Sequence, residues 1–243
     1  GPSLHLCSIQ PMPSFDASNP SPAALHAAMQ TDDWFAGCPV PFQRVLLDQG
    51  RWRNLAPGEP LFARGGEAEG LCCVTAGALR IGAQDADGQS AVLARLEPYQ
   101  WFGEISLIDG LPRTHDAVAE GSTRVLVVPR TGLLDWLQER PAHWRDIARL
   151  ACRKLRVSFV VLEELAQLPL EERVLRRLRL QAMGYGSRDV ARRRVRVAQE
   201  TLAQMLGVSR QSVNRALQQL QERGALRLHY GEIELLDPVR GLR

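Results

Sequence analysis

Residues 197–217 read VAQETLAQMLGVSRQSVNRAL, and this stretch decides how the C-terminal part of the chain folds. A first helix is predicted over Gln199–Leu206, with Leu202 and Leu206 on one face and small Ala203 beside them. Gly207 then permits the sharp left-handed turn between two steeply crossed helices. Ser209 is placed to cap a second helix, its hydroxyl accepting a backbone N–H at the exposed helix start. Val208, Val213, Ala216 and Leu217 pack inward, so Arg210, Gln211, Asn214 and Arg215 face outward on the first two turns. Arginine donates two hydrogen bonds to guanine, and glutamine or asparagine pairs with adenine, so these side chains suit a major groove. With Ser209 and Ser212 they form the DNA-reading set. The plain alternative is a helical hairpin with a solvated polar face. It is disfavoured because Ala203, Gly207, Val208 and Val213 all stand where a helix-turn-helix needs them. Residues 225–235, ALRLHYGEIEL, alternate and turn at Gly231, which predicts a two-stranded wing with Arg227 or His229 near phosphates.

Charge is segregated along the chain. Residues 168–243 hold fifteen arginines against eight acidic residues, a net +7, so a chain of net +3 carries −4 in the preceding part. Lys154 is the sole lysine among thirty basic residues, so arginine abundance partly reflects codon usage. The segregation is more informative, because a basic domain beside an acidic one is the footprint of a polyanion-binding module.

With 243 residues, 45% of them hydrophobic, the chain can build two modest packed domains. Its apolar runs are too short for a bilayer span, and no basic stretch precedes an apolar signal segment, so the expected compartment is the cytoplasm, without a membrane partner. Gly1-Pro2 resembles a protease-cleavage remnant, and residues 1–22, rich in Pro, Ser and Asn, are expected to form a flexible arm. Five scattered cysteines (Cys7, Cys38, Cys72, Cys73 and Cys152) do not suggest a disulfide framework. Cys72 and Cys73 lie in an apolar run and suit core positions better than a metal pair.

Residues 61–128 read as short strands with glycine turns. Residues 71–74, 78–81, 91–93 and 123–128 are strand-like, and Asp87-Gly88 marks a hairpin. This pattern predicts a small antiparallel roll, preceded by short helices at residues 22–30 and 40–49. Residues 131–167 are predicted helical. Ile147, Ala151, Lys154, Ser158, Val161, Leu165 and Leu168 alternate at spacings of four and three, a heptad seam for a parallel partner helix. Leu150, Leu155, Val157 and Leu162 then cover the roll; the alternative is a single buried helix in a monomer. Pro169 interrupts the pattern as a hinge, Glu171 and Glu172 start a new helix, and Gly184-Tyr185-Gly186 ends it. The expected fold class is α+β. Its parts are an N-terminal antiparallel β-roll (23–130), a dimerisation helix and hinge (131–168) and a C-terminal winged helix-turn-helix (169–243).

Residues 102–115 read FGEISLIDGLPRTH. Gly103 lets backbone approach a ligand closely, Glu104 can accept from a ribose hydroxyl, and Arg113 with Thr114 can hold a phosphate. Glu104 and Arg113 could equally be a plain ion pair. The whole stretch, following LFARGGEAEGLCCVTAGALRI at residues 61–81, resembles the phosphate-binding cassette of cyclic-nucleotide-binding domains. With the helix-turn-helix after it, the chain resembles the cyclic-AMP receptor protein family, often called Crp-Fnr, over about residues 46–237.

The resemblance implies a homodimeric transcription regulator rather than an enzyme. Promoter DNA and RNA polymerase are the implied partners, no cofactor is required, and the effector is cyclic AMP, cyclic GMP or cyclic di-GMP. It assigns ligand contacts to the cassette (Gly103, Glu104, Ile105, Ser106, Arg113 and Thr114). In members specific for cyclic AMP, two hydroxyl residues on the dimer helix meet the adenine; here the pair is Ser158-Phe159. His115 follows the Arg-Thr pair where alanine is usual, and it is either a ligand contact titrating near neutral pH or a surface residue. Gln211 stands where glutamate is usual. Effector-independent action, or haem or redox sensing on the same scaffold, is the alternative reading. No catalytic set, metal-ligand spacing or Walker-type loop supports an enzyme.

Overall fold

The computed structural model describes residues 18–84, 86–185 and 192–236. A helical lead, α1 (Pro22–Met29), α2 (Asp33–Ala36) and α3 (Val40–Gln49), precedes β1 (Arg51–Leu55), β2 (Pro60–Phe62), β3 (Gly70–Ala76), β4 (Leu79–Gln84) and β5 (Ser90–Leu96). Then come β6 (Trp101–Phe102), α4 (Glu104–Asp109), β7 (Asp116–Ala119), β8 (Thr123–Pro129), α5 (Arg130–Glu139) and the long α6 (Trp144–Gln167). The C-terminal part comprises α7 (Leu170–Ala182), β9 (Arg194–Val195), α8 (Gln199–Leu206), α9 (Arg210–Glu222), β10 (Leu226–His229) and β11 (Glu232–Leu235).

Period-two alternation builds the roll from two antiparallel four-stranded sheets, ordered β1-β8-β3-β6 and β2-β7-β4-β5. Cys72 and Val74 of β3 point between the sheets, where they meet Leu55, Leu79, Phe102 and Val125. Leu71 and Cys73, one residue out of phase, point the other way and pack with Trp34, Phe35, Phe42 and Trp101 beneath the helical lead. Adjacent cysteines therefore serve two different cores. Burial pushes the thiols of Cys38 and Cys72 up to about 12, and that of Cys73 well above its ordinary value, which makes them unreactive at neutral pH. Among the described residues, no helix is long and apolar enough to cross a membrane.

The expected arm is shorter on its C-terminal side than residues 1–22. Ser21 caps α1 at Pro22, and the Ser18 carbonyl accepts from Arg124; residues 1–17 lie outside the described residues. The predicted helical section breaks at Arg140, where Pro141 opens a 3-10 turn before α6.

The N-terminal half of α6 is fastened to the roll. Trp34 Nε1 donates to the Asp146 carbonyl at 2.7 Å, and Arg153 lies 3.6 Å from Asp32, which also caps α2. Ile147 is buried, so the predicted seam starts on the face that meets the protomer's own core. The exposed apolar residues are Leu155, Phe159, Leu162 and Leu165, 49–61% accessible. The exposed heptad is thus Ala148, Cys152, Leu155, Phe159, Leu162 and Ala166, one residue out of register with the predicted seam, of which Ser158 and Leu165 are also exposed. Leu155 and Leu162, expected to cover the roll, instead face solvent.

In the C-terminal part, α7 and α9 pack around a core of Val174, Leu178, Leu202, Val213, Leu217 and Ile233. The wing is larger than predicted. β9, from the arginine-rich connector, pairs with β11 to give a three-stranded sheet ordered β10-β11-β9. Leu168 is extended and Pro169 caps α7, so the chain turns at the expected hinge. Gly186, at the expected end of the helix that starts at Leu170, lies outside the described residues; α7 itself ends at Ala182.

Candidate functional site

β6 delivers the chain to Gly103, whose φ of 94° lies in the left-handed region. A Cβ there would sit 2.8 Å from Arg113 Nη1 and 2.9 Å from the Gly70 carbonyl, so only glycine fits. Glu104 opens α4 and is 2% exposed. Arg113 is 4% exposed. It donates to the Gly70 carbonyl at 2.8 Å and the Gly103 carbonyl at 3.2 Å, and stacks over Phe62 at 4.3 Å. Its Nε is buried without a hydrogen-bond partner, which leaves one donor unused.

Glu104 and Arg113 do not pair with each other. The carboxylate instead accepts from Lys154 Nζ of α6 at 2.7 Å. Sequence reading placed Lys154 in the dimer seam; the structure puts it on the cassette, fifty positions from its partner. Its sole signal was a lone lysine in a mainly apolar stripe. Ser106 is buried and its hydroxyl donates to the Pro112 carbonyl, closing the cassette loop. Ile105 is half exposed beside α6. Thr114 is exposed, and its hydroxyl lies 2.9 Å from His115 Nδ1. Ser158 sits one turn beyond Lys154, its hydroxyl donating back to the Lys154 carbonyl, and Phe159 projects from α6. The structure therefore brings Gly103, Glu104, Ser106 and Arg113 together, while Thr114, Ser158 and Phe159 are exposed. A buried carboxylate beside a buried guanidinium in a glycine cradle can hold a sugar hydroxyl and a phosphate at once.

The second constellation is exposed. Gly207 ends α8 at φ 65°, and Ser209 Oγ accepts from the Ser212 N–H at 3.1 Å, capping α9. Arg210, Gln211, Asn214 and Arg215 are solvent-facing, with Asn214 donating to Gln199 at 3.2 Å, while Ser212 is half-buried. At the wing, His229 and Arg227 both face Glu234, at 2.7 and 3.9 Å. The His229 hydrogen bond, first among the causes, holds the Glu234 carboxyl below its usual range.

Two family models match the chain, a cyclic nucleotide-binding domain over residues 52–140 and a Crp-like helix-turn-helix domain over residues 172–240. A CRP-like cAMP-activated global transcriptional regulator of Mycobacterium tuberculosis is 31% identical over 75% of this chain and 83% of its own. The chain belongs to the Crp/Fnr family of transcription regulators. A cyclic AMP receptor protein of Thermus thermophilus is 32% identical, over 80% of this chain and 84% of that relative. The Crp/Fnr fold is shared with FixK2 of Bradyrhizobium japonicum at TM-score 0.69, with 22% identity over 77% of this chain and 93% of that one. It is shared too with the c-di-GMP-responsive regulator CLP of Xanthomonas campestris at TM-score 0.64, with 21% identity over 82% of this chain and all of that one. As a Crp/Fnr member, the chain combines a cyclic nucleotide-binding domain with a DNA-binding helix-turn-helix.

Proposed function

We propose that this Crp/Fnr regulator is a cytoplasmic homodimer gated by a cyclic purine mononucleotide, cyclic AMP being the first candidate. The observation that carries this reading is the buried Gly103–Glu104–Arg113 cradle, tied by Lys154 to α6. In it, Glu104 takes the ribose hydroxyl and Arg113 the cyclic phosphate, with Thr114 at the rim. Ser158 supplies one hydroxyl to the base, and Ile105 and Phe159 border it. The two relatives named for cyclic AMP support a mononucleotide. The dimer forms along Leu155, Phe159 and Leu162, since burying each such side chain is worth about 1.5–3 kcal/mol. Ser209, Arg210, Gln211, Ser212, Asn214 and Arg215 meet promoter DNA, and RNA polymerase is the further partner. The chain acts by binding rather than by catalysis.

A ligand gates such a protein only by binding one orientation of the DNA-binding domains more tightly than the other. Lys154 is suited to sense this, because a ribose hydroxyl competes with it for Glu104. The same contact favours a second reading, in which Lys154 and the backbone carbonyls satisfy the cassette permanently and the regulator needs no effector. Calorimetric titration with cyclic AMP, cyclic GMP and cyclic di-GMP decides between them. Binding of a mononucleotide, weakened about a hundredfold in Arg113→Ala by loss of charge-assisted hydrogen bonds, is the expected result. No heat with any of the three would remove the gated reading.

A further inference from the structure

The turn at residues 97–100 joins the two functional regions within one protomer. Glu97, its side chain 6% exposed, pairs with Arg95 of β5 at 2.5 Å. It also accepts from Gln181 of α7 at 3.1 Å and forms an ion pair with Arg192 of the connector. Gln100 donates to the Gly184 carbonyl just beyond α7 at 2.6 Å, and Gln181 also donates to the Arg95 carbonyl at 3.2 Å. These bonds cross 84 to 95 positions of sequence and fasten the DNA-binding domain to the roll. Arg95 is held in turn by Glu120 at 2.7 Å. The turn is rigid: Gln100 Oε1 accepts from the Glu97 N–H, and Tyr99 adopts φ 69° while donating to the Val74 carbonyl at 2.7 Å.

Two residues of β6 separate this turn from Gly103 and Glu104. We propose that residues 97–100 are a latch, which holds the DNA-binding domain on the roll in the effector-free protein and is released when ligand occupies the cassette. The trigger rests on the gated reading above; the latch itself rests on the contacts just given. The latched position opposes DNA binding because it engages α8, the helix that must cross the DNA backbone in a helix-turn-helix complex. α8 packs against β5, and its Gln204 shares a crevice with Ser90, Ala91 and Val92 of that strand. Met205 of α8 is buried yet lies outside the hydrophobic core of the C-terminal domain. A duplex meeting α8 in this position would also meet a part of the chain whose sequence is net acidic. Ligand contact at Gly103 and Glu104 pulls on β6, and β6 carries Gln100 and Glu97 with it.

The test uses the full-length chain, a fluorescent duplex of random sequence and Glu97→Gln and Arg192→Gln, which change the net charge in opposite directions. Without nucleotide, both variants are expected to bind DNA about tenfold more tightly than the parent, within the range of ordinary allosteric couplings. Gln100→Ala, which removes both the bond to the Gly184 carbonyl and the brace on the Glu97 N–H, replaces either variant if its thermal melt shows that it does not fold. Parental affinity in both variants would overturn the latch. So would tighter binding by Glu97→Gln with weaker binding by Arg192→Gln, which is the pattern of simple charge. Cyclic AMP added to the parent separates the two ideas: an unresponsive parent defeats the gated reading, while tighter effector-free binding by both variants still supports the latch.

Discussion

Arg113 in the roll and Arg210 and Arg215 on α9 offer the same guanidinium to anions in opposite settings. Arg113 is buried, braced by two backbone carbonyls and stacked on Phe62, so its orientation is set before a ligand arrives. Arg210 and Arg215 stand in solvent on a helix whose first turn is capped by Ser209, and can adjust to whichever bases they meet. Pre-orientation removes ordering entropy for one small ligand of fixed shape. Exposure suits a long polyanion, where each neutralised phosphate releases counterions and makes binding steeply dependent on salt.

Salt gives the largest expected separation of the two regions. Between 50 and 200 mM salt, DNA affinity of the dimer is expected to fall about a thousandfold or more, while cyclic-nucleotide affinity changes by less than about tenfold. Equal slopes in the two titrations would erase the contrast. Next in size, Arg215→Ala is expected to weaken DNA binding by about tenfold or more and leave nucleotide affinity unchanged, read by anisotropy and calorimetry on the same samples. Loss of both activities together would mean that α9 supports the fold instead of reading bases.

The long helix α6 sharpens the comparison, because it serves the cassette on one face and exposes an apolar heptad on another. Cys152 lies in the observed heptad and not in the predicted one. Oxidation with copper–phenanthroline is expected to yield a covalent dimer through Cys152, visible on a non-reducing gel and absent in Cys152→Ser. A monomeric band throughout would move the seam elsewhere. The smallest effect belongs to the wing, where Glu234 offsets Arg227 and His229. Its depressed carboxyl means that the wing contact is fully present above the unfolded carboxylate range and is lost as pH falls through the lower folded value. An NMR titration is expected to place the Glu234 midpoint below the ordinary 4.5, and Glu234→Gln to tighten DNA binding about twofold. An ordinary midpoint would show the His229 contact to be unimportant.

Local signals made the DNA-reading half legible. Gly207 and Ser209 bound α8 and α9 at the residues expected, because the left-handed turn and the cap are properties of single positions. The cassette was legible for a similar reason, as Gly103, Glu104 and Arg113 lie within one short stretch. The seam was not. A helix with apolar residues on two faces offers two heptads one residue apart, and only the position of the roll shows that Ile147 and Leu150 face inward while Phe159 and Leu162 face out. Lys154 and the turn at residues 97–100 were invisible for another reason, since their partners lie 50 to 95 positions away. β6 and β9, two residues each, are too short to carry a periodic pattern and exist because a neighbouring strand is there to pair with them.

Coupling between the cassette and α9 is tested most directly by titrating a labelled promoter-length duplex with the parent protein, with and without saturating cyclic AMP. Affinity is expected to rise about tenfold or more with nucleotide and to lose that rise in Arg113→Ala, in line with a coupling of ordinary size. Nucleotide that binds the parent without changing its affinity for DNA would contradict a gated regulator.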